Sequence, residues 1–507
     1  MQFTRRGLLA GASAACVAGA MGRSAPALAA GGLLDRRVPG AARDYRILEI
    51  FFSGALSHRE TFWVERPDEA PVIRGLGSLN PQLHSIVNPS GAPGSWTQWL
   101  ASLGDYQSSD YRVGTTTNSD IHLGPGCKPL VDPLSGGDRL IDRLRVVAVG
   151  HDAPVHEVAQ AYLTQGIYDG SSASRISAAG AAITRHSSLP SYVFFHNGLS
   201  DARSTAQSAR AFGRHEAYNS PIAIPYDDPS FVAALAGARV ADRDALSRYY
   251  SDEYEAGFTF AHPSAAGLRA RSTALDRYLD SIGAAYDGPA LAAALGNLST
   301  STSETLWDNG VRRALRTAIS LIDSGQSAHC MVCDAGVTGP NNGFSFYDQH
   351  NVSNALTHSA QVTANLLNVM RTLREEIEAG TLNLDDTLVV FNTEFGRAFG
   401  PNDPGSNHCP EGFAVALLGG PIATGGVVGR LPFTGADDSD SREANPPALA
   451  RRSSTSARIE PTDLRAAIYQ AAGIHPFQAD VYEVHESTSS ETVPDDAADD
   501  LATTLFA

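Results

Sequence analysis

Asp348 and His350 stand two residues apart in the Gly- and Asn-rich segment "NNGFSFYDQHNVSNALTH". Glu394 follows the apolar run "LVVF", Arg397 comes three residues later, and His408 closes "EFGRAFGPNDPGSNH" fourteen residues past that acid. Two carboxylates and two imidazoles at one place offer the mixed oxygen and nitrogen ligands that hold zinc, manganese, iron and, in part, calcium. Three such ligands with an open position would activate water, and Arg397 would clamp a phosphate or sulfate oxygen. Ser57 and Thr61, in "FFSGALSHRETF", are hydroxyls after another apolar run and so candidate nucleophiles; His156, at the head of "HEVAQAYLTQ", is a candidate acid or base. Each residue also has a structural reading. Glu394 and Arg397 can pair at a strand end, Asp348 can cap a helix, His350, His358 and His408 can be loop histidines, and Ser57 and Thr61 can form turns. On the residues alone both readings stay open.

The elements around these residues decide whether they can meet. "AHCMVCDAG" reads as a buried strand and "DTLVVFNT" as another. Between them, apolar residues at Val362, Leu366, Val369, Leu373 and Ile377 keep helical spacing, and Gly380 is placed to end the helix. Strand, helix and strand of these lengths predict a right-handed βαβ crossover in a parallel sheet. Ligands of such sheets bind beyond the carboxyl ends of the strands, which is where the polar residues above fall. "YRILEIFFSG" predicts a central first strand, "DRLRVVAVG" and "LPSYVFFHNG" two more, and "VHEVAQAYLTQG" a short helix.

Around that core the organisation expected is a signal over 1–30, a linker over 31–44 and two halves of one α/β domain over 45–200 and 326–485. A mostly helical insertion or cap is expected over 201–325, where the chain turns rich in Ala, Arg, Asp and Ser, and a mobile, Ser-, Thr- and Asp-rich tail over 486–507. The signal has paired Arg5 and Arg6, a short apolar run and an A-x-A pattern at Ala27 to Ala29, the marks of twin-arginine export to the periplasm or beyond. No run of eighteen apolar residues follows it, so no membrane span is expected in the mature chain. With 38 basic against 55 acidic residues the formal charge is -17, which repels nucleic-acid phosphates; no nucleic-acid partner is expected. Cys330 and Cys333 form a C-x-x-C, but in a strand, where residues three apart face opposite ways, so they are expected as two packed thiols.

"NLDDTLVVFNTEFGR", "NHCPEGFAVALLGGPIATGGVVG" and "PTDLRAAIYQAAGI" resemble the C-terminal half of the bacterial "domain of unknown function 1501" proteins, exported relatives of the sulfatase and alkaline phosphatase superfamily. "FFSGALSHRETFWVERPD" resembles that family's first-strand motif, and the likeness covers most of the chain outside roughly 200 to 300. It implies a three-layer α/β sandwich around a central, mostly parallel sheet, alkaline phosphatase-like, with a helical insertion. It also implies Asp348, His350, Glu394 and His408 as ligands of a divalent metal ion, zinc among the candidates. Ser57, Glu60, Thr61, His156 and Arg397 become the catalytic candidates, with a small-molecule or polymer phosphate or sulfate ester as substrate. The sequence departs from the family pattern at Tyr347, where the motif has Trp, at Asn407, where it has Asp, and at Glu60, also Asp in the motif. Cys127 in "GCKPLVD" lacks the arginine of a sulfatase signature, so a formylglycine nucleophile is not expected. The neutral Asn407 and the lack of a certain nucleophile keep open an envelope binding or assembly protein that retains the fold, and the acid and histidine set, which would serve iron or copper too, keeps open a metalloenzyme of another reaction class.

Overall fold

β1 (Arg46–Phe52) is apolar at nearly every position because both of its faces are covered: Leu48, Ile50 and Phe52 enter one core, Ile47 and Phe51 the other. In this computed structural model the described residues are 45–65, 103, 108–114, 121–165, 176–177, 193–196, 210–211, 222–226, 309–325, 327, 329–337, 347–348, 350, 355–399, 406–429, 431, 459–471 and 502–506. They include β2 (Leu144–Val149), β3 (Val193–His196), β4 (Ile222–Pro225), β5 (His329–Asp334) and β6 (Thr387–Thr393). A hairpin of β7 (Gly396–Phe399) and β8 (Ser406–Cys409) follows, then β9 (Phe413–Gly419) and β10 (Gly426–Val428).

Eight of these strands form one sheet in the order β10-β2-β9-β6-β1-β5-β3-β4, in which β9 alone runs against its neighbours. The chain is thus mixed α/β with a large, mostly parallel central sheet. β1 is central, as its composition predicts. The expected crossover is present but wider than the sequence suggests: β5 and β6 do not touch, because β1 lies between them, with Ile47 opposite His329 on one side and Arg46 opposite Thr387 on the other. A strand that enters from the far end of the chain leaves no mark on the segment it divides.

Helices cover both faces. α2 (Gly310–Asp323) and α3 (Ala355–Glu378) supply Leu315, Ile319, Leu366, Val369 and Leu373 to the first core; α1 (His156–Gln165) and α4 (Pro461–Ala471) supply Leu163, Leu464 and Ile468 to the second. Asn309 caps α2, accepting from the Arg312 amide at 2.9 Å, and Gly380, at φ 78°, ends α3 as expected. The second core also encloses a charge. Glu49 on β1 is fully buried and pairs with Arg465 of α4, supported by Asn392 at 3.0 Å and by His329 at 3.6 Å. The Arg465 guanidinium holds the Glu49 carboxyl at about 2 although burial pulls it upward.

Cys127, Cys330, Cys333 and Cys409 are free and buried, with Cys330 and Cys333 on opposite faces of β5. The signal and linker over 1–44 lie outside the described residues, as do 227–308 of the expected insertion; of 201–325, the described parts are β4 at the sheet edge, α2 and short stretches beside them. Within the expected mobile tail, 502–506 form a helical turn whose Ala502, Leu505 and Phe506 fill the second core, tied down by Arg145, whose Nη1 donates to the Thr504 carbonyl at 2.7 Å. No helix among the described residues is long and apolar enough to cross a membrane.

Candidate metal centre

β1, β2, β5 and β6 all end at one sheet edge, and antiparallel β9 begins there, with Phe413 opposite Val149. The turn after β1 wraps that edge. Ala55 sits at φ 71°, the sole non-glycine at positive φ among the described residues, and Gly54 beside it is at φ 103°. This turn aims three backbone groups at the site: the Gly54 amide donates to Glu394 Oε1 at 2.6 Å, and the Gly54 and Ala55 carbonyls accept from Arg397.

Three histidines meet here. His156 opens α1 after the β2 loop, His350 lies in the segment after β5, and His408 is on β8, whose hairpin register sets it opposite Arg397. One ligand nitrogen from each lies within 4.8 Å of the other two, so the triad can hold a metal ion. Outer contacts orient two of the rings. His156 Nδ1 is 2.8 Å from Glu394 Oε1, and a carboxylate only accepts, so Nδ1 carries the proton. His408 Nδ1 faces the Pro154 carbonyl and is a donor for the same reason. Burial, with the neighbouring His156, Arg397 and His350, lowers His408 to about 4 despite the Pro154 contact, so its Nε2 presents a lone pair at neutral pH. His350 Nε2 lies 2.7 Å from His408 Nε2, and His156 Nε2 is buried without a hydrogen-bond partner among the described residues. Imidazoles held by an acceptor at one nitrogen, with the others turned toward a common point, are the usual surroundings of a bound metal. The residues fit such an ion.

Two carboxylates flank the triad differently. Glu394 is completely buried; burial raises its pKa, but His156 and the Gly54 amide outweigh that and hold it below the ordinary carboxylate value. Gln160, one helical turn beyond His156, adds a contact at 3.4 Å. Asp348 Oδ1 lies 3.4 Å from His350 Nε2 and 3.9 Å from His156 Nε2, and Arg397 Nη2 donates to it at 2.6 Å. Arg397 is completely buried; burial lowers its pKa, and it stands 3.3 Å from His350.

The site therefore brings together His156, Asp348, His350, Glu394, Arg397 and His408. Ser57, Glu60 and Thr61 lie one step along the β1 turn, in and beside the short 3-10 turn His58–Glu60. Thr61 Oγ1 donates to the Ser57 carbonyl at 2.7 Å, while Ser57 Oγ is buried with no partner among the described residues and caps nothing. The Asn407 side chain lies outside what is described. Upstream of His156, sequence reasoning missed His151, which bonds the Glu394 carbonyl at 2.7 Å, and it missed Gln160. The signal for both was the rule already applied to the other strands: they follow the carboxyl end of β2.

No curated protein and no solved structure matches this chain. Residues 44–475 match the family described as "Protein of unknown function (DUF1501)", and the chain belongs to that family.

Proposed function

We propose that this protein is an exported, metal-dependent hydrolase of phosphate or sulfate esters that works in the cell envelope. The observation that carries the reading is the convergence of three imidazole nitrogens, two of whose rings are fixed from behind by acceptors. Three neutral nitrogen donors favour zinc, copper, iron or nickel over magnesium or calcium, and zinc is the first choice for hydrolysis. A bound divalent ion would supply Lewis acidity toward an ester oxygen and lower the pKa of water.

The remaining steps belong to the chain. Glu394 keeps the His156 proton on Nδ1, and Arg397 keeps Asp348 beside His350 and His156. By formal charge, Glu394 and Asp348 exceed Arg397, so the cluster becomes net positive only when a divalent ion is bound. That local sign suits an anionic ester on a chain whose overall charge is -17. Ser57, with its unengaged hydroxyl, is the candidate nucleophile, and Thr61 is second to it because its hydroxyl is already bonded. The alkaline phosphatase-like layout and twin-arginine export are parts of this proposal.

One observation favours a second reading, a non-catalytic binding or assembly protein. Arg397, the natural clamp for an ester oxygen, directs its donors to Gly54, Ala55 and Asp348. Elemental analysis of the purified mature protein, followed by turnover of aryl phosphates and sulfates, separates the two. The hydrolase reading expects about one transition-metal ion per chain, lost in a His156→Ala, His350→Ala variant together with turnover. Metal without turnover of either ester would favour the second reading. No metal after reconstitution would end the first.

A further inference from the structure

We infer that His151 is a positioning residue of the metal centre, a latch that fixes the segment carrying His156 and Pro154 against Glu394; the inference rests on the metal reading above. His151 is completely buried, and both of its ring nitrogens are engaged by backbone. The Ala153 amide donates to Nδ1 at 3.0 Å, so Nδ1 holds the lone pair and Nε2 carries the proton that goes to the Glu394 carbonyl at 2.7 Å. With both nitrogens used, His151 cannot itself be a ligand. Its own amide donates to the Pro410 carbonyl at 2.8 Å, and its ring meets Tyr162 and Phe413 edge-on at 5.6 and 5.5 Å.

These contacts join three of the pieces of chain that build the centre; the segment of Asp348 and His350 is a further one. Ala153 is three residues before His156 and immediately before Pro154, whose carbonyl takes the His408 Nδ1 proton. Glu394 takes the His156 proton. Pro410 is two residues after His408. Without His151, the acceptor behind His408 and the ring of His156 would both lose their common reference to the end of β6, while the ligands themselves would remain. The expected result is a looser centre, with metal affinity reduced about 10- to 100-fold, as for loss of other outer contacts.

The test uses the full mature chain and cobalt(II), with the ligand-field absorption and the dissociation constant as readouts and zinc competition as a check. His151→Phe keeps the ring packed against Tyr162 and Phe413 but removes both hydrogen bonds. His151→Gln restores a donor near the Nε2 position. We expect His151→Phe to bind cobalt about 10- to 100-fold more weakly with an altered spectrum, and His151→Gln to recover part of both. A merely structural role would lower the melting temperature and leave affinity and spectrum at wild-type values, which overturns the inference. If His151→Phe does not fold, His151→Leu, which also lacks both hydrogen bonds, takes its place; wild-type affinity and spectrum in His151→Leu overturns the inference equally. Wild-type protein that binds neither cobalt nor zinc would overturn the metal reading and this inference together, whereas metal binding indifferent to His151 overturns this one alone.

Discussion

Glu394→Gln separates a ligand from a residue that holds a ligand. In the structure the carboxylate reaches the centre through His156, with Oε1 2.8 Å from Nδ1 and also receiving the Gly54 amide at 2.6 Å. Gln keeps an oxygen for these donors and nearly the same volume, so the turn after β1 should stay in place. What it loses is charge. Hydrogen bonds to a charged group contribute about 1.5–3 kcal/mol, against about 1 for a neutral one. At about 1.4 kcal/mol per tenfold, the difference weakens metal binding by about tenfold, rising toward 100-fold if His156 also turns. Chelator competition with zinc at neutral pH measures it, and X-ray absorption counts the nitrogen and oxygen neighbours. The expected result is the weaker affinity with an unchanged neighbour count. An unchanged affinity would show that the Glu394 contact does nothing for the centre, and the loss of one oxygen neighbour would show that Glu394 is itself a ligand. The same charge has a pH signature. Because the folded carboxyl lies below its ordinary value of 4.5, its stabilising effect is full above that pH and fades as pH falls through the lower folded value, so wild type and variant should converge in acid.

The buried Glu49–Arg465 pair should dominate stability: Arg465→Met leaves an unpaired buried carboxylate and should cost about 3–5 kcal/mol in urea unfolding, while Glu49→Leu with Arg465→Met should recover most of it. Glu49 is held at about 2, so its contribution is complete above about pH 4.5 and should decline toward pH 2. Asp334 has the opposite sign: burial raises it to about 7 against the Tyr347 hydroxyl and the Gly336 amide. Wild-type stability should therefore fall as pH rises from about 4 to about 7, and Asp334→Asn should flatten that window in thermal melts. For export, replacing Arg5 and Arg6 by lysine should leave uncleaved precursor inside the cell, and unimpaired secretion on fractionation would refute the twin-arginine reading.

Much of the fold was legible because it rests on local patterns. The apolar run of β1, interrupted only by Glu49 between Ile47 and Phe52, required cover on both faces, and helical spacing from Val362 to Ile377 closed by Gly380 marked α3. The site edge was legible for a similar reason, since Asp348, His350, Glu394, Arg397 and His408 all border strands that end or begin at that edge, and they do lie together. What local patterns cannot carry is who pairs with whom across the chain. β1 slips between β5 and β6, and Glu49 finds Arg465 across 416 residues, without a trace in either neighbourhood. Nor does spacing tell a ligand from its support. His156 and Glu394 differ in role only through which atom faces which, and His151 looks in sequence like any histidine in a loop.

The separation of these residues along the chain bears on how the centre forms. His350 and His408 are 58 residues apart, and His156 meets Glu394 across 238. No two of the three histidines are close enough to prearrange the triad in an unfolded chain, and no single βαβ unit contains it. The Glu394 carboxylate is aimed by the β1 turn, the His408 ring by the β2 loop, and Asp348 by an arginine from the β7–β8 hairpin. The centre is thus a property of the completed sheet edge, and any metal bound there stabilises the native state alone. A protein built in this way gains from crossing a membrane already folded with its ion in place. That is the service a twin-arginine route provides, and it makes the proposed export path and the proposed centre two expressions of one constraint.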